Sequence, residues 1–165
     1  MDLKELKILR TLTEIELKQN KGIIDIRGVS MEPLIYEGNC VLIEKCDCFV
    51  PGDILLVVDM NCRLLIHRLI RVIPSSKDRR EDILVTKGDN TVGVDESYRY
   101  NCLGKAILVY KKDEEIYPYS KFRDKIVLQL SKRMNRKFSK GVPGEKLFKG
   151  WERKCIVRIF EKYIE

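Results

Sequence analysis

The sequence predicts a mainly β protein, built on a coiled antiparallel sheet or partly open barrel with helical segments at both ends. Between residues 23 and 118, short apolar runs rich in Val, Ile and Leu alternate with turns that contain Gly, Asn or Pro, a pattern typical of hairpin-connected strands. No helical periodicity separates these runs, so nothing indicates the crossover helices of a parallel sheet. The chain is 44% hydrophobic and 35% charged, which indicates a packed globular protein and excludes a disordered one.

Each predicted strand is an apolar run bounded by turn residues. Gly38 and Asn39 form a turn before the second run, and Pro51 and Gly52 form another before the run that is most apolar. A charged loop at 74–82 separates two later strands. The runs that we interpret as strands lie at 23–27, 40–44, 54–58, 63–73, 83–86 and 103–110.

We divide the chain into an N-terminal amphipathic helix at 1–22, a β domain at 23–118 and a basic helical appendage at 119–165. Five aliphatic residues of the first segment recur at helical spacing: Leu3, Leu6, Leu9, Leu12 and Ile15. In the appendage, large apolar residues recur every four positions among Lys and Arg: Phe122, Ile126, Leu130, Met134 and Phe138. The Gly-Val-Pro-Gly break at 141–144 and a second apolar run from Trp151 to Tyr163 complete a predicted helical hairpin.

Positive charge is concentrated in this appendage. The chain carries a net charge of +7, whereas residues 119–165 contain fourteen Lys and Arg against five Asp and Glu, a balance of +9. A basic amphipathic surface suits a peripheral membrane partner or a membrane protein. No recognised nucleic-acid-binding motif accompanies the charge, so we expect no specific nucleic-acid binding.

The sequence carries no signal for secretion or for metal binding. No run of eighteen apolar residues predicts a transmembrane helix, and residues 1–22 lack the apolar middle and cleavage site of a signal peptide. We therefore expect a cytoplasmic protein, or one peripheral to a membrane. The six cysteines form no paired CxxC units, so we expect reduced thiols, no metal site and no cofactor.

The stretch at 27–33 has the composition of a turn that exposes a serine. Gly28 precedes Ser30 by two residues, and Met31 and Pro33 follow it. Gly adopts backbone angles that other residues avoid, and Pro restricts the chain directly afterwards. A serine nucleophile needs a free hydroxyl with backbone N–H groups nearby for its oxyanion. Serines between Gly and Pro also commonly serve only to shape a turn, so this stretch alone leaves both interpretations open.

The only histidine, His67, lies in a strand-like apolar run and is the candidate base for Ser30. A lone histidine beside leucines is also common in protein cores, so the residues around His67 in the fold must show whether it is catalytic or structural. An imidazole base works best with a carboxylate at its other nitrogen. Asp89, in a Lys-Gly-Asp-Asn loop, and Asp95, six residues later, both qualify, and the residues themselves do not place either one.

Three motifs in order resemble those of the signal-peptidase clan of serine peptidases. They are Ser-Met-x-Pro at Ser30, His-Arg at His67 and Thr-Lys-Gly-Asp-Asn around Asp89, with Asp95 beyond. The likeness covers about residues 23–110 and is greatest to the archaeal and endoplasmic-reticulum type, in which a histidine replaces the bacterial catalytic lysine. It implies the β fold of the signal peptidase and LexA type. It also implies Ser30 as nucleophile, His67 as base, Asp95 as the acid that orients the base and Asp89 as a supporting residue.

Gly28 and Met31 are the other residues that we assign to the support of the site. Membrane signal peptidases often carry a hydroxyl two residues before the nucleophile, where this chain has Gly28. The Gly-x-Ser-Met turn is more similar to LexA-type self-cleaving repressors, which use backbone amides and a lysine base. We therefore expect an oxyanion hole made mainly of backbone N–H groups. Lys87 matches the Thr-Lys-Gly-Asp loop of the family and not its catalytic lysine.

These residues together predict a serine endopeptidase that cleaves a leader or precursor peptide bound as an extended strand near Ser30. Shallow pockets near Val29, Met31 and Leu34 are expected to favour small residues at the cut. Family members are usually anchored by an N-terminal membrane helix, and residues 1–22 are too polar for one. The expected substrate is therefore a cytoplasmic leader or precursor peptide, or the cytoplasmic side of a membrane partner. The alternative is a catalytically silent peptide-binding or regulatory module with the same fold.

Overall fold

A curled antiparallel sheet forms the body of the protein. The computed structural model describes residues 21–112, 114–119 and 121–139, and within them eight strands form one sheet bent into a half-barrel. The mainly β fold class is therefore confirmed. The strands are β1 (Lys21–Asp25), β2 (Cys40–Glu44), β3 (Ile54–Val58), β4 (Leu64–Ile73), β5 (Ile83–Lys87), β6 (Asp95–Tyr98), β7 (Cys102–Lys111) and β8 (Glu114–Ile116), followed by helix α1 (Lys121–Ser139).

Strand β7 pairs with more strands than any other strand of the described sheet. The strand order is β1-β2-β7-β3-β4-β5-β6, with β8 paired to β7. β7 pairs with β2 along one edge, and with β3 and then β8 along the other. β1 and β6 end the order, and no strand in the described part of the chain pairs with the outer edge of β1.

Strand β3 is buried along its whole length because both of its faces meet apolar side chains. Ile54 and Leu56 belong to a large core cluster on one face of the sheet. Leu55 and Val57, which alternate with them, belong to a smaller cluster on the other face. A strand covered on both faces has no polar side, which explains why this stretch is a continuous apolar run.

Helix α1 packs on the large core cluster. Val127 is fully buried there, and Ser131, one turn later, is also buried. The apolar repeat at 122–138 therefore does form a helix, as predicted. The predicted amphipathic helix at 1–22 and the second helix of the hairpin lie outside the described residues, apart from positions 21 and 22, which belong to β1. No helix in the described residues is long and apolar enough to cross a membrane.

Two strands and two short turns of 3-10 helix were not predicted from the sequence. β6 and β8 are short and polar, so they lack the alternation of apolar residues that identifies a strand. The 3-10 turns cover Arg79–Glu81 and Arg99–Asn101. They contact each other and stand at the start of β5 and the end of β6. Pairing with a neighbouring strand, and not local composition, defines β6 and β8.

Strand β4 changes partners at the His-Arg motif. Its residues 64–68 pair with β3, and its residues 68–73 pair with β5. His67 and Arg68 therefore lie where three strands overlap. Since successive side chains of a strand project to opposite faces, this pair presents one residue to each side of the sheet.

The face of Arg68 carries buried charge. Arg68, Lys87 and Asp89 are each at most 2% exposed, and the register pairs Arg68 with Lys87. The ammonium of Lys87 donates a hydrogen bond to the carbonyl oxygen of Gly88 at 2.9 Å. Desolvation lowers the pKa of Lys87 from 10.5 to about 8, although the nearby charge of Asp89 acts in the opposite direction.

The free energy of unfolding of the wild type should therefore rise relative to that of Lys87→Met as the pH increases from about 8 to 10.5. In this window the unfolded chain still holds the Lys87 proton and the folded chain has released it, so higher pH favours folding. The destabilisation that results from burying the charged ammonium is fully present below this window. Across the window, the free energy of unfolding is expected to rise by about 3 kcal/mol. Urea unfolding at several pH values measures it. Exposed Lys77→Met is the control, and a pH-independent difference for Lys87→Met would contradict this account.

Candidate active site

The turn that carries Ser30 is attached to the sheet at both ends. Beyond β1, Ile26 donates to the carbonyl oxygen of Asn39 at 2.9 Å and accepts from the N–H of Gly38 at 3.0 Å. Gly28 has a φ of +89° and open space around the position of a Cβ, so its backbone angle, and not crowding, is what favours glycine. Ser30, half-buried, begins the tight turn that follows.

Met31 and Leu34 fasten this turn to the core. Each is 2% exposed and belongs to the large cluster, whereas Val29 is 52% exposed. Of the three residues near which substrate pockets are predicted, only Val29 has a largely exposed side chain. The N–H of Ile35 donates to the carbonyl of Met31 at 3.0 Å, which winds the chain so that both side chains point inward. Met31 supports the turn through packing and does not line an open surface.

Ser30 and His67 are in hydrogen-bond contact. The Oγ of Ser30 lies 3.1 Å from the Nε2 of His67, within the range for transfer of a proton from a hydroxyl to an imidazole. His67 is 4% exposed, because it lies inside β4 and opposite Leu55 of β3. The nucleophile candidate and the base candidate thus come from different parts of the sheet and meet at its surface.

Asp95 is the carboxylate next to His67. Its Oδ2 lies 3.0 Å from the Nδ1 of His67. This separation is that of an ion pair, but the contact falls short of hydrogen-bond geometry, and Nδ1 has no hydrogen-bond partner among the described residues. Interaction with His67 is the largest influence that lowers the pKa of Asp95, and the charge of Arg63 adds to it while burial opposes it. Asp95 therefore remains an anion beside the imidazole at neutral pH.

Arg63, which the sequence did not single out, holds Asp95 from the other side. Its Nη2 lies 2.6 Å from Oδ1 of Asp95 and 2.6 Å from Oδ2 of Asp59. Asp59 has a side chain only 1% exposed and also accepts the backbone N–H of Arg63 at 2.7 Å. The spacing Asp-x-x-x-Arg across the turn between β3 and β4 was the only trace of this arrangement in the sequence. In this arrangement one carboxylate oxygen of Asp95 contacts Arg63 and the other faces His67.

Asp89 has a different partner. Its carboxylate accepts two hydrogen bonds from Arg68, at 2.9 Å from Nε and at 2.8 Å from Nη2. Neither side chain of the pair has any exposed surface. Arg68 also donates from Nη1 to the carbonyl of Gly52 at 2.9 Å. The structure thus separates the two aspartates that compete in the sequence: Asp95 lies beside His67, and Asp89 lies on the opposite face with Arg68.

The loop that contains Asp89 is also hydrogen-bonded to the Ser30 turn. The backbone N–H of Asn90 donates to the carbonyl of Ser30 at 2.8 Å, and the side-chain amide of Asn90 donates to the carbonyl of Val29 at 3.0 Å. Gly88 approaches so closely that an added Cβ would stand 2.5 Å from the carbonyl oxygen of Ser30. Asp89 therefore supports the site at a distance, by fixing the loop that positions Ser30.

The backbone N–H groups of Ser30 and Met31 donate to no described residue. Neither N–H group is therefore committed to an acceptor within the described part of the chain. Gly28 contributes no hydroxyl, so any oxyanion formed at Ser30 would depend on backbone donors such as these.

The described residues contain no group of three or more His, Cys, Asp or Glu side chains arranged to hold a metal ion. The cysteines among them, Cys40, Cys46, Cys48, Cys62 and Cys102, are unpaired thiols, and Cys155 lies outside the described residues. Burial is the largest cause that raises the pKa of Cys102 to about 12, which keeps this thiol protonated and unreactive.

Comparison of the chain with models of protein families, with curated proteins and with solved structures gives no match.

Replacing Gly88 by Ala should disturb the Ser30 turn. The new methyl group would meet the backbone oxygen of Ser30, which cannot move aside as a flexible side chain can. We expect a loss of about 1–3 kcal/mol in the free energy of unfolding, measured with urea. Gly93→Ala is the matched control, because nothing lies within 4 Å of its Cβ position. Equal effects of the two substitutions would show that Gly88 is not in close contact with Ser30.

Asp89→Asn should destabilise the protein by about 3–5 kcal/mol, because it leaves the buried guanidinium of Arg68 without a counter-charge. Thermal or urea unfolding measures the effect. Asp78→Asn, which removes the carboxylate from an exposed pair with Arg80, should cost far less. A small effect at Asp89 would mean that water or another group compensates Arg68.

Proposed function

We propose that this chain is a serine endopeptidase of the signal-peptidase type, with Ser30 as nucleophile, His67 as general base and Asp95 as the acid that orients the base. One observation carries the proposal: Ser30 Oγ, His67 and Asp95 form a continuous series of contacts at 3.1 Å and 3.0 Å. The residues are distant in the sequence, so their contact is a property of the fold. Such a series is the arrangement by which a neutral serine is activated.

In the proposed reaction, the hydroxyl of Ser30 attacks the carbonyl carbon of a peptide bond and transfers its proton to Nε2 of His67. The electron pair of the carbonyl moves to its oxygen, where the backbone N–H groups of Ser30 and Met31 stabilise the negative charge. The anionic carboxylate of Asp95 stabilises the imidazolium of His67. His67 then protonates the leaving amine, the C–N bond breaks, and water releases the acyl group from Ser30 with His67 again acting as base.

Arg63 has a defined part in this proposal. It holds one oxygen of Asp95 at 2.6 Å, so the carboxylate stays ionised and cannot turn away from His67. A carboxylate restrained in this way costs less reorganisation when the imidazolium forms. Arg63 is a positioning residue, since it reaches the base only through Asp95.

The substrate that fits this site best is an extended peptide. The outer edge of β1 pairs with no strand of the described residues, and the chain passes from β1 directly into the Ser30 turn. A peptide added to such an edge gains main-chain hydrogen bonds, and side chains of the edge provide selectivity. Val29 and Ile23, both more than half exposed, would contact such a peptide. A leader or precursor peptide is the substrate class that the resemblance suggests.

A catalytically silent peptide-binding module is the second candidate, and one observation favours it. The Nδ1 of His67 lacks a hydrogen bond of good geometry despite the nearness of Asp95. Hydrogen bonds of this kind often tighten only when a substrate binds, which is why the peptidase is our first proposal.

A fluorophosphonate probe and a mixture of small-residue-containing precursor peptides test the proposal. We expect covalent labelling of Ser30, detected by intact mass and peptide mapping, and cleavage of at least one peptide. Ser30→Ala and His67→Ala should reduce cleavage by about 10⁴-fold or more, because either change removes the activated nucleophile. Asp95→Asn should reduce it by about 10⁴-fold, because the imidazole loses the carboxylate that orients it.

Ser76→Ala, at an exposed position outside the site, is the matched control and should cleave as the wild type does. Cleavage that survives Ser30→Ala would rule out the mechanism. Peptide binding without labelling or cleavage, unchanged in Ser30→Ala, would instead identify the silent module.

A further inference from the structure

A second concave site lies at the far end of β5 and β6 from Ser30. It is a cavity of about 720 Å³, formed where the 3-10 turns Arg79–Glu81 and Arg99–Asn101 meet the segment after β2. The catalytic end of these strands is marked by the pair Thr86 and Asp95, whereas the cavity end is marked by the pair Ile83 and Tyr98. Three residues of a strand span about 10 Å, so the two sites are separate.

The cavity carries more positive charge than its own carboxylates can neutralise. Four of its lining side chains are cationic, Lys45, Arg79, Arg80 and Arg99, and one is acidic, Asp47. No ion pair joins Lys45 or Arg79 to any carboxylate in the described part of the chain. Two cations that form no ion pair outnumber the one carboxylate of the lining, Asp47, and this excess of positive charge favours an anionic ligand.

Arg99 is a rigid member of this group. Its Nε and Nη2 each lie 3.0 Å from Oδ2 of Asp82, and its guanidinium lies 4.5 Å from the centre of the Phe49 ring. Its side chain is only 15% exposed. A guanidinium held from two sides loses little conformational entropy when a ligand binds. Arg80, in contrast, is paired with Asp78 at the surface.

An aromatic surface adjoins the cations. Tyr98 and Tyr100 are stacked with their ring centres 5.1 Å apart and their planes 8° from parallel. Tyr100 lines the cavity and is 48% exposed. A planar ring in the ligand can stack on such a surface, as bases do on aromatic side chains.

We propose that this cavity is a binding site for a nucleoside phosphate. Lys45 and Arg79 contact the phosphate oxygens, Arg99 is held by Asp82 as a fixed part of the wall, and Tyr100 provides a surface for the base. The volume lies in the range of small-molecule sites, and guanidinium groups match phosphate geometry. A cavity of this volume with an aromatic wall suits a compact ligand with a ring better than it suits an acidic peptide. The site is independent of the peptidase chemistry at Ser30.

Calorimetric titration of the full chain with ADP, pyrophosphate and adenosine tests the proposal. ADP should bind at least about tenfold more tightly than either fragment, because only ADP engages both the cations and the aromatic surface. Arg79→Ala should weaken ADP binding by about tenfold or more, through the loss of a charge-assisted hydrogen bond. Lys77→Ala, which removes an exposed positive charge nearby but outside the lining, should bind as the wild type does.

Tyr100→Leu should reduce the preference for ADP over pyrophosphate and leave pyrophosphate binding unchanged. Ser30→Ala should bind ADP normally, so that failure of the peptidase proposal and failure of this one are distinguishable. Absence of ADP binding would overturn the inference, as would equal weakening by Arg79→Ala and Lys77→Ala, which indicates nonspecific attraction. ADP binding no tighter than pyrophosphate would also overturn it. Tighter binding of hexaglutamate than of ADP, lost in Arg79→Ala, would assign the cavity to an acidic peptide instead.

Discussion

The buried ion pair between Arg68 and Asp89 is the interaction on which the site depends. Neither side chain has exposed surface, and an isolated charge in such a position would be prohibitively costly. The two groups must therefore stay together. Their contact holds the loop after β5 against β4, and a third hydrogen bond from Arg68 holds the carbonyl of Gly52. Two loops and a strand are thereby joined at one guanidinium.

The ion pair also positions Ser30, through hydrogen bonds between the loop that contains Asp89 and the backbone of the Ser30 turn. Asn90 follows Asp89 directly and donates two hydrogen bonds to the Ser30 turn, one of them to the carbonyl of Ser30 itself. Gly88 precedes Asp89 and lets the loop approach Ser30 without a side chain between them. On the other side of β4, His67 meets the Ser30 hydroxyl. Because His67 and Arg68 are neighbours in one strand, a single dipeptide places the candidate base on one face and anchors the loop that contains Asp89 on the other.

Much of this arrangement is visible in the sequence. Turn residues and apolar runs predict most strands of the curled sheet, and the period of four after residue 121 predicts helix α1. Ser30, His67 and the two aspartates can all be named from their motifs. Arg63 could not be identified, because its importance comes from the position of Asp95 across the sheet and not from any local pattern. The burial of Met31 and Leu34 was also missed, since a tight turn can direct its apolar side chains either inward or outward, and the core decides which.

The sequence by itself determined which residues are chemically able to act and which apolar segments form strands, because side-chain chemistry and the alternation of apolar residues are local properties. Only the tertiary structure decided which carboxylate faces His67. Asp89 and Asp95 have the same side chain and lie in the same part of the chain, but the pairing of β5 with β4 and β6 directs one to Arg68 and the other to the imidazole. The basic cavity is likewise a product of folding. Its cations come from three separate segments, and only the closing of the sheet brings them to one wall.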